Sequence, residues 1–306
     1  MHEKKIIITG GTGFLGSYLA PYFIKKCYTI YIISRQKQRN NGNIKYLTWD
    51  GKTIGKWAEA LENAEVVINF AGKSVNCRYN ETNKRIIKES RVNATKVIGQ
   101  AILQAKKPPK LWLNGGSATI YRYSEDMDMT EKDGELGTGF SVDVCKAWEK
   151  TFNQIQTPNT RKILMRISIV IGKHGGVMIP LKNLARIGLG GTQGHGRQRV
   201  SWLHVHDLAR MIDFFMANER ITGTMNCVSP NHVSNRDFMK QIRKAYHAPF
   251  GLPQPKWMLK MGAVLIKTET ELILKSRKVV PDRLLKAGFE FDYPTLDLAL
   301  QEITRV

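Results

Sequence analysis

Short apolar runs alternate with longer segments of helical periodicity along most of this chain. Ile6-Ile7-Ile8 is the first run and predicts a strand, and Phe14, Leu15, Tyr18, Leu19, Tyr22 and Phe23 recur at helical spacing after it. Pro21 falls inside that helix, where it lacks an N–H and crowds the preceding turn, so a kink or an early end is expected there. Thr29–Ser34 and residues 44–49 read as strands, residues 57–61 open a short helical segment, and residues 65–70 form another buried strand. Residues 84–104 predict a long helix, its apolar side made by Ile87, Val92, Val97, Ile98, Ala101 and Ile102. Pro108-Pro109 precede a strand at 111–113, a polar loop covers 124–139, a helix spans 141–155, and a strand at 162–171 closes on Gly172. Strand and helix alternating in this way define an α/β fold with a doubly wound parallel sheet.

Beyond Gly172 the rhythm breaks. Residues 188–196 hold five glycines and His195, a loop of the kind that wraps a ligand or forms a lid. Residues 201–207 lead into a helix at 208–216, and residues 224–229 read as the last sheet strand. From Pro230 the chain is mostly helical, punctuated by Pro249, Pro253, Pro255, Pro281 and Pro294. The expected division is a Rossmann dinucleotide-binding domain of residues 1–172 and 200–229, with a smaller substrate-binding lobe of residues 173–199 and 230–306.

The turn after the first strand, Thr9-Gly10-Gly11-Thr12-Gly13-Phe14-Leu15-Gly16, carries the first candidate chemistry. Gly10 lets the chain turn sharply, Gly13 leaves room where a pyrophosphate approaches a helix amino terminus, and Gly16 lets the helix lie close on the sheet. An NAD-preferring site offers an acid about 20 residues further on. This chain has Ser34 and Arg35 there, followed by Lys37 and Arg39. A guanidinium without an acid suits a 2′-phosphate, which favours NADP(H) over NAD(H); the alternative is a set of solvated loop charges. At the end of the 65–70 strand, the small Ala71-Gly72 pair lets a nicotinamide ribose or an adenine pack against backbone. The candidate cofactor contacts are therefore Gly10, Thr12, Gly13, Phe14, Leu15, Ser34, Arg35, Asn69, Phe70, Ala71, Gly72 and Arg91.

The 306 residues suit one large domain or two intimate ones, and 42% hydrophobic content allows a sizeable core. Cys27, Cys77, Cys145 and Cys227 are scattered, with no CxxC pair and no His cluster at zinc spacing, so no metal is expected. The chain opens directly on strand residues and its apolar run at 261–266 is far too short for a membrane span, so a cytoplasmic protein without a leader is the expectation. The net charge of +21 would attract anions, but its lysines are spread out and no recognition-helix or RNA-binding motif accompanies them. A small-molecule partner is expected, without specific nucleic acid or membrane, as a monomer or homodimer.

Taken together, TGGTGFLG, INFAG, GGSATIY, MRISIVIG and VSWLHVHDLA resemble an extended-type short-chain dehydrogenase/reductase of the NAD-dependent epimerase/dehydratase family, in order and over nearly the whole chain. The stretch LPQPKW, followed by SRKVVPDRLLKAGFEFDYPTLDLAL, is similar to the carboxy-terminal part, of unassigned function, of one atypical branch called simply epimerase family proteins. The resemblance implies a Ser that orients a carbonyl, a Tyr that moves a proton, a Lys that lowers its pKa, and an upstream Asn. Ser117 matches the Ser. Anchored on Glu149, the Tyr position holds Ser141 and the Lys position Cys145; Lys146 is adjacent but rotated by about 100° around the helix. Arg91 stands at the Asn position, two residues before Asn93. The atypical branch resembles this pattern.

With Tyr and Lys replaced, Tyr121 is the first substitute proton carrier, the alternative being a packed aromatic, and Tyr123 and His195 are weaker ones. Cys145 is a catalytic candidate if Arg91 or a helix terminus depresses its pKa, and otherwise a small hydrophobe. Arg78, Arg91 and Arg199, with His195, are candidates for holding an anionic substrate, although each arginine could equally serve a surface ion pair. His204 and Asp207 stand where the family's HVxD segment fixes the lobe junction, and Trp148 and Trp202 read as core. Two functions follow: an NADP-dependent oxidoreductase or epimerase-like enzyme acting on a small polar, sugar-nucleotide-like substrate, or a catalytically weak NADP(H)-binding sensor or scaffold. A third, nucleic-acid association through the +21 charge, has no motif behind it.

Overall fold

The computed structural model describes residues 3–259 and 275–305. The 261–266 run lies outside them. The apolar runs become seven parallel strands of one sheet, β1 (Lys5–Thr9), β2 (Thr29–Ser34), β3 (Ile44–Thr48), β4 (Val66–Asn69), β5 (Leu111–Ser117), β6 (Arg161–Ile167) and β10 (Gly223–Cys227). Their spatial order is β10-β6-β5-β4-β1-β2-β3, so the winding direction reverses between β1 and β4 and opens a crevice at the carboxyl ends of those strands.

Successive side chains in each central strand serve opposite cores, which is why the runs read as continuously apolar. Ile6, Ile8, Val66, Ile68, Leu111 and Leu113 pack with Leu19 and Phe23 of α1 (Phe14–Ile24) and with Leu208, Ile212 and Phe215 of α5 (Val205–Ala217). Ile7, Val67 and Trp112 face the other way, onto Val97, Ile98 and Ile102 of α2 (Glu81–Gln104) and Phe152 of α3 (Phe140–Gln154).

Three elements depart from the sequence expectation. α1 continues through Pro21 to Ile24, because a proline in the last turn removes only one bond of the ladder. β5 runs on through Asn114-Gly115-Gly116 to Ser117, since both glycines still pair with β6. The strand expected at 162–171 is two: β6 ends at Ile167, and β7 (Ile169–Ile171) leaves the sheet to pair with β9 (Trp202–His204).

A third core joins α4 (Met178–Arg186), α6 (Asn235–Ala245) and α8 (Leu296–Thr304) around Trp202, Phe238 and Met239. The glycine-rich stretch at 188–196 is no open ligand loop. A Cβ on Gly191 would lie 2.2 Å from the Leu252 carbonyl oxygen, and the Gln254 N–H donates to the Thr192 carbonyl at 2.8 Å. Gly188 and Gly191 admit the neighbouring 250–254 segment.

The HVxD residues pin the carboxy-terminal part. Asp207, fully buried, accepts the Asp292 and Tyr293 N–H groups at 2.9 and 3.0 Å. Neutral His204 accepts the His206 N–H on Nδ1 and lies 3.0 Å through Nε2 from Glu302 of α8, with burial pulling its pKa down to about 3. Asp207→Ala leaves two amides without their acceptor. Bonds to a charged group are worth about 1.5–3 kcal/mol each, so a loss of about 3 kcal/mol or more is expected in urea denaturation. A loss below about 1 kcal/mol would mean that α8 is held by its apolar contacts alone.

Candidate functional site

The glycine turn sits on the crevice where the winding reverses. Gly10 has φ +70°, and a Cβ there would lie 2.6 Å from the Phe70 carbonyl oxygen, so only glycine brings the turn this close to the end of β4. Gly16 is needed for a different contact from the one expected: a Cβ on it would meet the Gly11 carbonyl oxygen at 2.2 Å, in the turn rather than the sheet. At Gly13 a Cβ would meet nothing closer than the Gly10 oxygen at 3.6 Å. The protein itself would tolerate a side chain at Gly13, and the space is free for a ligand. Gly13 also caps α1 with no side-chain acceptor, and no acid lies in the first turn, leaving N–H groups and the helix dipole for an anion.

Thr12, Ser34, Arg35 and Gln36 line an open cleft of about 390 Å³ beside this turn. Ser34 is fixed by donating its hydroxyl to the Gln36 carbonyl at 2.6 Å. Arg35 is exposed and has no hydrogen-bond or ion-pair partner among the described residues. Phe14 is half-buried, with Gly172, Gly175 and Gly176 around its ring; a Cβ on Gly175 would come within 2.4 Å of it. Leu15 packs onto the core beneath α1.

The strand ends are locked by a buried polar network. Asn69 Oδ1 accepts from the Thr9 hydroxyl at 2.7 Å and the Ala71 N–H at 3.1 Å, while its Nδ2 donates to Asn114 at 2.7 Å and to Thr95 at 3.1 Å. Thr95 also accepts the Trp148 indole N–H at 2.8 Å. The Asn69 side chain is thus spent on shaping the Phe70-Ala71 turn, so any cofactor contact there falls to backbone. Arg91 donates from Nη1 to the Lys73 and Ile87 carbonyls at 3.0 and 2.9 Å and lies over the Trp148 ring. Gly72 leaves room for this guanidinium, whose Cζ would lie 3.1 Å from a Cβ at that position.

Ser117 ends β5 half-buried, its Oγ accepting the Thr119 N–H at 3.2 Å. The other two catalytic candidates do not join it in a reactive arrangement. Tyr121 is turned into the core: its hydroxyl lies 2.8 Å from Asn226 Oδ1 and 3.0 Å from the Thr130 carbonyl, and accepts from Arg166 Nη1 at 2.8 Å. Burial raises its pKa despite the guanidinium. Cys145 is buried beside Ile120, Tyr121 and Val142, and burial, with Glu149 adding to it, pushes its thiol up to about 11. Arg91, Arg277 and Arg166 act in the other direction and are outweighed. Both the packed-aromatic and the small-hydrophobe alternatives therefore fit these two side chains. The Ser141 hydroxyl is buried without a hydrogen-bond partner among the described residues.

Sequence reasoning missed the group that holds Tyr121. Arg166 makes a bidentate pair with Glu149, Nε to Oε1 at 2.9 Å and Nη2 to Oε2 at 2.8 Å, both side chains about nine-tenths buried. An arginine inside the otherwise apolar MRISIVIG strand was the available signal. The anionic-substrate candidates are spread out. Arg78 is exposed on the loop before α2, and His195 is exposed, its Nε2 3.3 Å from the Tyr123 hydroxyl. Arg199 begins the two-residue strand β8 (Arg199–Val200), its N–H donating to Ser276 at 2.7 Å.

That bond belongs to a strap. Segment 275–280 runs between loop 124–129 and β8, with Met129 N–H donating to Lys278, Arg277 N–H to Arg199, and the Ser201 hydroxyl to Arg277. Through Val279 the carboxy-terminal stretch packs onto Ala118, Ile120 and Tyr121, just after Ser117.

Sheet order, flanking helices and glycine turn define a Rossmann-like α/β protein of the short-chain dehydrogenase/reductase kind. Residues 6–227 match the NAD dependent epimerase/dehydratase family, and residues 254–303 match a Domain of unknown function (DUF1731). The chain belongs to the NAD-dependent epimerase/dehydratase family. It is 33% identical over 302 residues to the Epimerase family protein YfhF of Bacillus subtilis (strain 168), covering 97% of each chain. Among solved structures it is similar to the human epimerase family protein SDR39U1 (isoform 2) with NADPH, at 27% identity and TM-score 0.88, covering 98% of this chain and 99% of that one. A nucleoside-diphosphate sugar epimerase from Corynebacterium glutamicum shares the fold at 23% identity and TM-score 0.79, covering 99% of this chain and 58% of that one.

The thiol environments give a direct test. With a pKa of about 11, only about a thousandth of Cys145 is thiolate at about pH 8. Iodoacetamide on the native protein is expected to label exposed Cys27 first and to spare Cys145 and Cys227 until unfolding, read by peptide mass spectrometry. Fast native labelling of Cys145 would return it to the nucleophile candidates.

Proposed function

We propose that this chain binds NADP(H) in the crevice between β1 and β4 and acts as an oxidoreductase or epimerase-like enzyme on a small polar substrate. The observation that carries the cofactor reading is Arg35, exposed and unpaired on the cleft beside the glycine turn with no carboxylate among that cleft's lining residues. The turn fits a dinucleotide: Gly13 opens onto free space, α1 begins without a cap, and Arg35 stands where a 2′-phosphate needs a fork of donors. The NADPH in the human relative, at 27% identity over nearly the full chain, supports the same preference.

A bound nicotinamide supplies or accepts a hydride. This chain contributes orientation and polarisation around it. Ser117 presents its hydroxyl at the carboxyl end of β5, ready to donate to a substrate carbonyl oxygen. Its backbone is paired with Ile167 of β6, so the strand end that carries this donor is fixed before substrate arrives. With Tyr121 committed to Arg166, Asn226 and Thr130, and Cys145 protonated, the proton passes through water. The same two observations favour a second reading, an NADP(H)-dependent sensor in which the fold is kept and turnover is lost. Substrate-dependent change in nicotinamide absorbance separates the two.

Arg35→Ala is expected to weaken NADPH about 10- to 100-fold, the worth of a charge-assisted contact, and NADH much less. Equal losses in calorimetry would remove Arg35 from the 2′-phosphate site. Gly13→Ala is expected to keep the wild-type melting temperature while losing dinucleotide affinity, whereas Gly16→Ala destabilises the fold itself. Ser117→Ala is expected to lower turnover by about 10²–10³ with cofactor affinity nearly intact; unchanged turnover would reject the polarising role.

A further inference from the structure

The four most exposed large apolar side chains among the described residues are Ile187 at 68%, Trp257 at 63%, Phe250 at 61% and Leu252 at 56%. They share one corner of the molecule. The turn after α4 and the 250–254 segment cross there, the Leu252 N–H donating to the Gly188 carbonyl at 2.8 Å. Phe250 lies so close over Gly188 that a Cβ there would come within 2.7 Å of its ring. Two further backbone bonds, Gly194 to Gln254 and Gln254 to Thr192, carry the pairing to within three residues of Trp257. The apolar side chains thus project from a stiff, hydrogen-bonded base.

The charge around them is mainly positive among the described residues. No Asp or Glu occurs anywhere from residue 150 to 206 or from 238 to 268. Lys182 and Arg186 of α4, Lys240 and Lys244 of α6, and Lys256 border the corner, with Lys182 lying over the Tyr246 ring that links the two helices. Two acids approach from its margins: Asp297 lies 4.0 Å from Lys244, and Glu125 lies 3.7 Å from His195. Protruding Trp, Phe, Leu and Ile set in lysine and arginine have the composition of an interfacial membrane anchor. A second copy is disfavoured, because it would bring two basic faces together.

We propose that this corner docks on an anionic phospholipid surface, with Ile187, Phe250, Leu252 and Trp257 entering the headgroup–acyl boundary and the flanking cations meeting lipid phosphates. Docking is peripheral: among the described residues no helix is long and apolar enough to cross a membrane. A strongly basic protein adsorbs to anionic vesicles through charge alone, so the decisive variant removes apolar surface at constant charge.

The full chain is floated with vesicles of phosphatidylcholine alone and of phosphatidylcholine with phosphatidylglycerol. Binding is expected only to the anionic vesicles, weakening as salt rises. The triple variant Ile187→Ser, Phe250→Ser, Leu252→Ser should lose more than about tenfold in partitioning. Ile187→Ser alone and the pair Lys182→Glu, Arg186→Glu provide two independent weaker binders. Trp257 reports insertion directly, because the other five tryptophans are all at 7% exposure or less. Its emission should shift to the blue and be quenched by brominated lipid, a signal that Trp257→Phe abolishes while flotation persists. Flotation unchanged in the triple variant, or emission unmoved, would reduce the effect to charge adsorption and overturn the proposal. So would self-association, seen by sedimentation, that the triple variant abolishes without any vesicle binding.

Discussion

The crevice depends on one desolvated amide. Asn69 lies at the carboxyl end of β4 with no access to water, and each of its polar atoms is answered: Thr9 from β1, Asn114 from β5, Thr95 from α2, and the Ala71 N–H. An unpaired buried amide is costly, so the four elements β1, β4, β5 and α2 are held in register here. That arrangement fixes how the chain leaves β4 through Phe70 and Ala71, against which Gly10 packs.

A second buried assembly governs the opposite wall. The Arg166–Glu149 pair joins β6 to α3, and its third donor holds the Tyr121 hydroxyl, which in turn meets Asn226 of β10. Asn226 extends the chain of contacts to the Met129 and Val280 carbonyls. A buried ion pair is weak evidence for stability, since desolvating both charges is expensive, but its geometry is strict. Here it converts a tyrosine beside the Ser117 strand end from a titrating group into a strut.

Much of this architecture was written in periodicity. Continuous apolar runs gave the strands, because a strand sandwiched between two helix layers has no polar face. Gly10 and Gly13 were legible because their requirement is local. Ser117 and Arg35 could be located by their place after a strand. The direction of Tyr121 could not, because it is decided by a guanidinium 45 residues later. Cys145 was ambiguous for a related reason: Arg91 is indeed near enough to act on it, but the sequence carries no measure of the burial that outweighs that charge. The glycines at 188–196 looked like ligand-loop glycines, and only the crossing of the 250–254 segment shows what they make room for.

The strap at 275–280 sets a timetable. The Ser276 hydroxyl donates to the Ser124 carbonyl across 152 positions of chain, and the Met129–Lys278 backbone bond is nearly as remote. On a ribosome the sheet from β1 to β6 can assemble while the strap is still unmade, so the cluster around Ala118, Ile120 and Val142 waits for Val279. Closing so long a loop carries an entropic cost that only a finished core can offset. The glycine turn, which needs only β1, α1 and the end of β4, can thus form well before the strap closes on loop 124–129.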